Sequence, residues 1–182
     1  VFVGAGNLLL CICIYNLATK NIPLLGSVTM GLCRGLNVSL GVLAAAKTFD
    51  VPQSLLFVAA FLGIYTVVVT LISQMEDKQG VKPTFTIESI ILLSLLLFLP
   101  FQTPHPAYAL PVVLIAVGII GHKMYRAFVN FAPKNVGLVI KWSVLSMPLI
   151  DCAWLVGFGL LWEAFVPVAC LVTGISLGKH FY

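Results

Sequence analysis

Apolar residues run along this chain in long, nearly unbroken stretches, and short polar clusters with prolines separate them. Seven stretches are long enough to be read as membrane segments: 1–19, 23–46, 52–73, 85–101, 107–129, 135–157 and 160–177. Asn21-Ile-Pro23 closes the first, Asp50-Val-Pro52 opens the third, and Gln102-Thr-Pro-His-Pro106 reads as a tight, rigid loop. The run from Asn135 to Leu177 is too long for one crossing, and Gly157-Phe-Gly159 is its natural bend. The stretches are continuous rather than alternating, which predicts helices and not a barrel. There is no internal repeat or low-complexity tract, so one transmembrane helical domain over 1–182 is expected, an all-α polytopic bundle with six to seven spans.

Composition sharpens the picture. Of 182 residues, 60% are hydrophobic and 9% charged, whereas a soluble domain carries about 25% charged residues; mean hydropathy is +1.10. Such a surface faces lipid. The net charge of +4 matters less than its placement. With these segments, Lys20, Lys78, Lys82, Lys123, Arg126, Lys134, Lys141 and Lys179 fall on one side and Lys47 on the other. By the positive-inside rule, the loops near Lys20, Lys78 and Lys123 are expected to be cytoplasmic. No nucleic-acid partner is expected. The five cysteines lie within apolar runs without a CxxC pair and read as buried, inert thiols. The histidines do not cluster, and the last helix carries no mid-span lysine, which argues against haem, zinc and retinal. The apolar run begins at Val1 with no basic segment before it, so it does not read as a signal peptide, and further helices are expected ahead of it.

Arg34 is the most informative polar residue. It lies 11 positions after Pro23, roughly 16 Å along a helix. A charge at that depth costs at least ~2.5–3.5 kcal/mol on insertion scales. Helical spacing places Ser27, Arg34, Asn37 and Gly41 on one face, with Gly31, Gly35 and Ser39 as an adjacent small-residue ridge open to another helix. Two readings follow: the wall of a polar cavity seeking an anion, or a structural pair with an acidic residue on another helix. A second polar stripe, Thr66, Thr70, Ser73 and Asp77, with Glu76 beside it, ends the third segment. Glu76 and Asp77, with Lys78 and Lys82 nearby, are residue types that hold Mg²⁺ and a diphosphate. On these residues alone, an ordinary solvated loop is the simpler reading.

Three strings together resemble the UbiA superfamily of membrane prenyltransferases: Tyr15 to Lys20, Gly26-Ser-Val-Thr-Met-Gly-Leu-Cys-Arg-Gly-Leu-Asn37, and Ser73-Gln-Met-Glu76. The Met30 to Asn37 string is most like the UbiA-like proteins of ebo gene clusters, and the resemblance covers the C-terminal two thirds of the family's fold. It implies a helical bundle around a lipid-open cavity. It also implies transfer of an isoprenoid chain from its diphosphate to an acceptor, commonly aromatic, with Mg²⁺ as cofactor. On this resemblance Glu76 and Asp77 become the metal residues, and Tyr15, Lys20, Arg34, Asn37, Ser73, Lys78 and Lys82 the substrate-binding residues. Lys20 matches the basic residue that follows the family's tyrosine and contacts diphosphate. Ser73 stands where the family usually carries Asp, and the family's first Asp-rich motif has no counterpart in 1–182. A chain of this extent is therefore expected to be inactive alone, and to need the missing helices or a partner subunit against its first two segments. The alternatives are a non-catalytic membrane subunit of the same fold, or a transporter of lipid or small molecules.

Overall fold

A computed structural model describes residues 2–46, 53–77 and 82–178. Lys47, Lys78 and Lys179 lie outside the described residues, and so do the side chains of Asp77 and Lys82. The helices are α1 (Phe2–Ile14), α2 (Pro23–Ala46), α3 (Gln53–Asp77), α4 (Lys82–Phe98), α5 (Pro106–Val129), α6 (Pro133–Leu145), α7 (Met147–Gly157) and α8 (Phe165–Gly178). No strand occurs among the described residues. A π-helical turn, Tyr15–Thr19, follows α1, and a 3-10 turn, Leu99–Gln102, follows α4. The chain forms two compact units, Val1–Gln74 and Met75–Tyr182.

Four helical segments are long and apolar enough to cross a membrane: Leu56–Glu76, Pro83–Gln102, Pro106–Val129 and Pro133–Gly157. Large apolar side chains face outward, among them Trp162 at 83% exposure and Phe101 at 73%, as expected of a surface whose solvent is hydrocarbon. The protein is therefore a membrane protein by length and composition. Helix α2 is 24 residues long and is not one of the four found among the described residues. The apolar stretches 3–19 and 165–176 are shorter.

In the first unit, α1 gives way to α2 through the π turn. The turn is held by Thr29, whose hydroxyl donates to the Leu25 carbonyl and lies 3.0 Å from the Thr19 hydroxyl. Pro23 opens α2, where its missing N–H costs nothing. Between α2 and α3 the contact is backbone to backbone. A Cβ on Gly31 would sit 2.6 Å from the Gly63 carbonyl oxygen and against the Val67 side chain; one on Gly35 would sit 3.2 Å from the Ala59 carbonyl oxygen. The small-residue ridge expected from the sequence thus has its partner, a matching ridge on α3.

In the second unit, α5 buries a single stripe, Ala109, Val113, Ala116, Ile120, Met124 and Ala127, at steps of three and four residues. Leu110, Leu114, Ile115 and Phe128 point the other way and are exposed. Helices α6 and α7 are separated only by Ser146, because Pro148 brings no N–H to the second position of α7. The Ser146 hydroxyl donates to the Trp142 carbonyl at 2.7 Å. The bend expected around Gly157-Phe-Gly159 is a Schellman cap: Gly159 has φ +83°, Leu160 N–H donates to the Leu155 carbonyl at 2.9 Å, and Gly159 N–H to Val156 at 3.0 Å. Successive turns occupy 161–164, so α8 starts at Phe165, five residues later than the expected Leu160. The rigid proline loop is also tied down, since His105 N–H donates to the Gly157 carbonyl at 3.0 Å.

If the glycine contact sets the α2–α3 approach, Gly31→Ala should destabilise the protein by about 1–3 kcal/mol. Gly121→Ala, whose new methyl meets nothing within 4 Å, should be neutral or stabilising. Thermal unfolding in one detergent compares them; equal shifts for both would remove the packing explanation.

Candidate functional site

The candidate residues begin at the π turn. Tyr15 is its first residue and half-buried; Lys20 closes it, exposed, with its N–H donating to the Tyr15 carbonyl at 2.9 Å. Asn16 donates to the Ile12 carbonyl at 2.9 Å, a side chain inserted where the α-helical ladder is broken. Lys20 and Arg34 are not brought together, since Arg34 lies 11 residues beyond Pro23, roughly 16 Å up α2.

Arg34 is half-buried, and its Nε is buried without a hydrogen-bond partner. Such an orphan is costly, because a buried donor forfeits its hydration. The polar face expected around it is divided. Ser27 is fully buried, whereas Asn37 is exposed. Alongside, the first unit has an open apolar groove of about 490 Å³ between α2 and α3, walled by Val28, Leu32, Leu36, Leu56, Ile64 and Val67. Arg34 is not among its lining residues, although Gly35 and Leu36, next to it in sequence, are.

The hydroxyl stripe on α3 is occupied with its own helix. Thr66 donates to Leu62, Thr70 to Thr66 and Ser73 to Thr70, each at 2.7 Å from the carbonyl oxygen. This back-bonding satisfies the hydroxyls at low polarity and is the bland outcome for such a stripe. Glu76 is exposed, with Oε1 lying 2.6 Å from the position of a Cβ on Gly137 of α6. Lys20 belongs to the first unit and Glu76 to the second. Among the described residues no three His, Cys, Asp or Glu groups converge on a metal position. One described carboxylate packed on a helix backbone does not by itself fit a Mg²⁺–diphosphate centre, and no chemical step is derived through one.

Several contacts carry no signal in the sequence. Gln74 Nε2 donates to the Pro23 carbonyl at 2.7 Å and to Ser27 Oγ at 2.8 Å, joining the end of α3 to the start of α2. Ser27 in turn donates to Pro23 at 2.9 Å. Position 74 directly follows the stripe, but only the fold brings it to residue 23. In the second unit, Lys123 Nζ lies 5.3 Å over the Trp142 ring, and Glu88 Oε2 is buried without a hydrogen-bond partner.

Against known proteins, no family model, curated protein or solved structure matches this chain.

The Gln74 triad should show in a double-mutant cycle. Gln74→Ala and Ser27→Ala are each expected to cost about 1 kcal/mol, with a coupling of about 0.5–1 kcal/mol between them. Strict additivity in unfolding experiments would mean that the bond contributes nothing.

Proposed function

We propose that this chain is a UbiA-like membrane prenyltransferase, or a part of one, that binds an isoprenoid diphosphate. The observation that carries the reading is the Arg34 guanidinium, half-buried far along α2 with its Nε unpartnered. A guanidinium cannot shed its proton in a protein, so an anion is the ligand that relieves it. The apolar groove on the same helix, which Arg34 itself does not line, supports the other half of the ligand. Its volume of about 490 Å³ and its apolar walls suit a hydrocarbon chain. The resemblance of Met30 to Asn37 to the family joins both features in one helix.

On this reading α1, α2 and α8 join the four long helices as further membrane segments. The bundle is UbiA-like, and the Lys20, Lys78 and Lys123 loops are cytoplasmic. A partner subunit, or further helices, covers the Arg34 side of the first unit. Tyr15, Lys20, Asn37 and Ser73, all of the first unit, are the remaining candidate substrate contacts. The family resemblance alone would give Mg²⁺ to Glu76 and Asp77, and no step is assigned to it. The residues themselves do two things: Arg34 places positive charge where the leaving group gathers negative charge, and the apolar walls keep water from the reacting carbon. A second reading, a non-catalytic subunit or a carrier of the same ligand, is favoured by Ser73, which stands in an acidic position and donates its hydroxyl to Thr70.

Binding of tritiated farnesyl diphosphate to the protein in nanodiscs tests the reading, with farnesol and inorganic diphosphate as competitors lacking one half of the ligand. Wild type should bind, and Arg34→Leu should weaken binding by about tenfold or more, the loss of one charge-assisted contact. Membrane insertion of the variant, followed by carbonate extraction, should be unchanged. Turnover with an aromatic acceptor then separates enzyme from subunit. Equal binding by both proteins would end the Arg34 reading.

Orientation has its own measurement. In sealed vesicles, single cysteines placed at Lys78 and Asn130 should react with an impermeant maleimide from the same face, and one at Pro104 from the opposite face. Pro104 and Asn130 are both exposed and flank the 24-residue α5. Labelling of the Lys78 and Pro104 loops from one face would refute the topology.

A further inference from the structure

We infer that Cys11 of α1 and Cys33 of α2 form a modification site, a thiol pair that closes to an intramolecular disulfide when a lipid-soluble hydroperoxide reaches it. The inference stands on the α1–α2 register. The Cys11 thiol donates to the Thr29 carbonyl at 3.8 Å, and Thr29 lies one helical turn before Cys33 on the same face of α2. In the antiparallel α1–α2 pair a Cβ on Gly4 would lie 2.6 Å from the Leu40 side chain, and seven residues on along α1 and seven back along α2 bring Cys11 opposite Cys33. Both residues are partly accessible. Thiols set opposite each other on two packed helices can join without the large backbone movement that forbids most cysteine pairs.

The surroundings select the oxidant. Cys11 follows nine residues of apolar α1, and Cys33 lies ten residues beyond Pro23, about 15 Å along α2. Charged soluble disulfides partition poorly to such positions. A lipid hydroperoxide carries its O–O bond in the same layer. One thiol attacks the peroxide oxygen, giving a sulfenic acid and the lipid alcohol. The second thiol then attacks the sulfenic sulfur and expels water. In sum, two thiols and one hydroperoxide give one disulfide, one alcohol and one water; the O–O bond is reduced and both sulfurs are oxidised. The other thiols lack this geometry. Cys13 is exposed on α1, two residues and roughly 200° from Cys11, and Cys170 is exposed on α8. Each should stop at sulfenic or sulfinic acid.

The site holds whether or not the chain binds an isoprenoid diphosphate, because its test reads linkage and not activity. The protein in nanodiscs is treated with phosphatidylcholine hydroperoxide, alkylated, digested and mapped by mass spectrometry. The expected product is a dithiothreitol-reversible link between the Cys11 and Cys33 peptides. It should exceed any Cys13–Cys33 link by about tenfold, given the geometric demands of the bond. Cys11→Ser and Cys33→Ser should each abolish the link, the remaining thiol stopping at the sulfenic or sulfinic acid as Cys13 does. If both thiols of the wild type stay alkylatable at doses that oxidise Cys13 and Cys170, or if Cys13 links as readily as Cys11, the inference fails.

Discussion

Hydrocarbon offers no hydrogen bonds, and every other feature of this chain answers to that. A peptide group left unpaired in lipid costs several kcal/mol, so the backbone closes into helices. The helices in turn expose what lipid tolerates. Exceptions in the ladder occur where a side chain or a turn makes them good: Asn16 at the π turn, Ser146 at the α6–α7 break, and the paired bonds of the Gly159 cap. Side-chain hydroxyls follow the same rule. Ser27, Ser39, Thr66, Thr70, Thr103 and Thr173 each donate to a carbonyl three or four residues back. A polar stripe on such a helix is therefore weak evidence for a site, because its members can satisfy themselves.

With polar partners provided locally, packing has to supply the specificity between helices. Lipid is as apolar as leucine, so burying large side chains against a neighbour gains little over leaving them in the bilayer. What gains is close approach. Gly31, Gly35 and Gly63, with Ala59, let α2 and α3 meet at backbone distance. The buried stripe of α5 includes three alanines, while Leu110, Leu114, Ile115 and Phe128 face outward. The resulting groove beside the Gly31 contact follows directly. Where glycines bring two helices together, the flanking Val28, Leu32, Ile64 and Val67 side chains splay and leave a trough.

This physics explains how far the sequence could be read. The start of α2 and the end of α5 coincide with the expected ones because prolines and polar clusters mark them locally. The glycine ridge was legible because its spacing lies within one helix. The late start of α8 was not, since residues 160–164 are as apolar as a helix and only the turns after Gly159 stop them from continuing one. Contacts between helices were invisible for a simpler reason. Gln74 with Pro23 is separated by 51 residues and Cys11 with Thr29 by 18, and no periodicity encodes a meeting between two chains of helix turns. Of the candidate site, the location and partial burial of Arg34 could be anticipated. The exposure of Asn37 could not, because helical spacing gives a shared face without saying what covers it.

Among the described residues, two buried polar atoms remain unpartnered on ionisable side chains, Arg34 Nε and Glu88 Oε2, and they are not equivalent. A carboxyl in a poor solvent can take up a proton and become a neutral donor, so its cost has a local remedy. Guanidinium has none at any accessible pH. Its charge must be answered from outside the side chain, by water, by a carboxylate or by a ligand. The expected structural alternative was an acidic partner on another helix, and the unpartnered Nε leaves at least one donor without it. Such a group sits on the helix that also forms the apolar groove, without lining the groove itself. An amphiphile with an anionic head and a greasy tail satisfies both demands together, whereas a free anion or a lipid tail satisfies only one. For that reason the ligand reading centres on Arg34 and the α2–α3 groove rather than on the acidic end of α3.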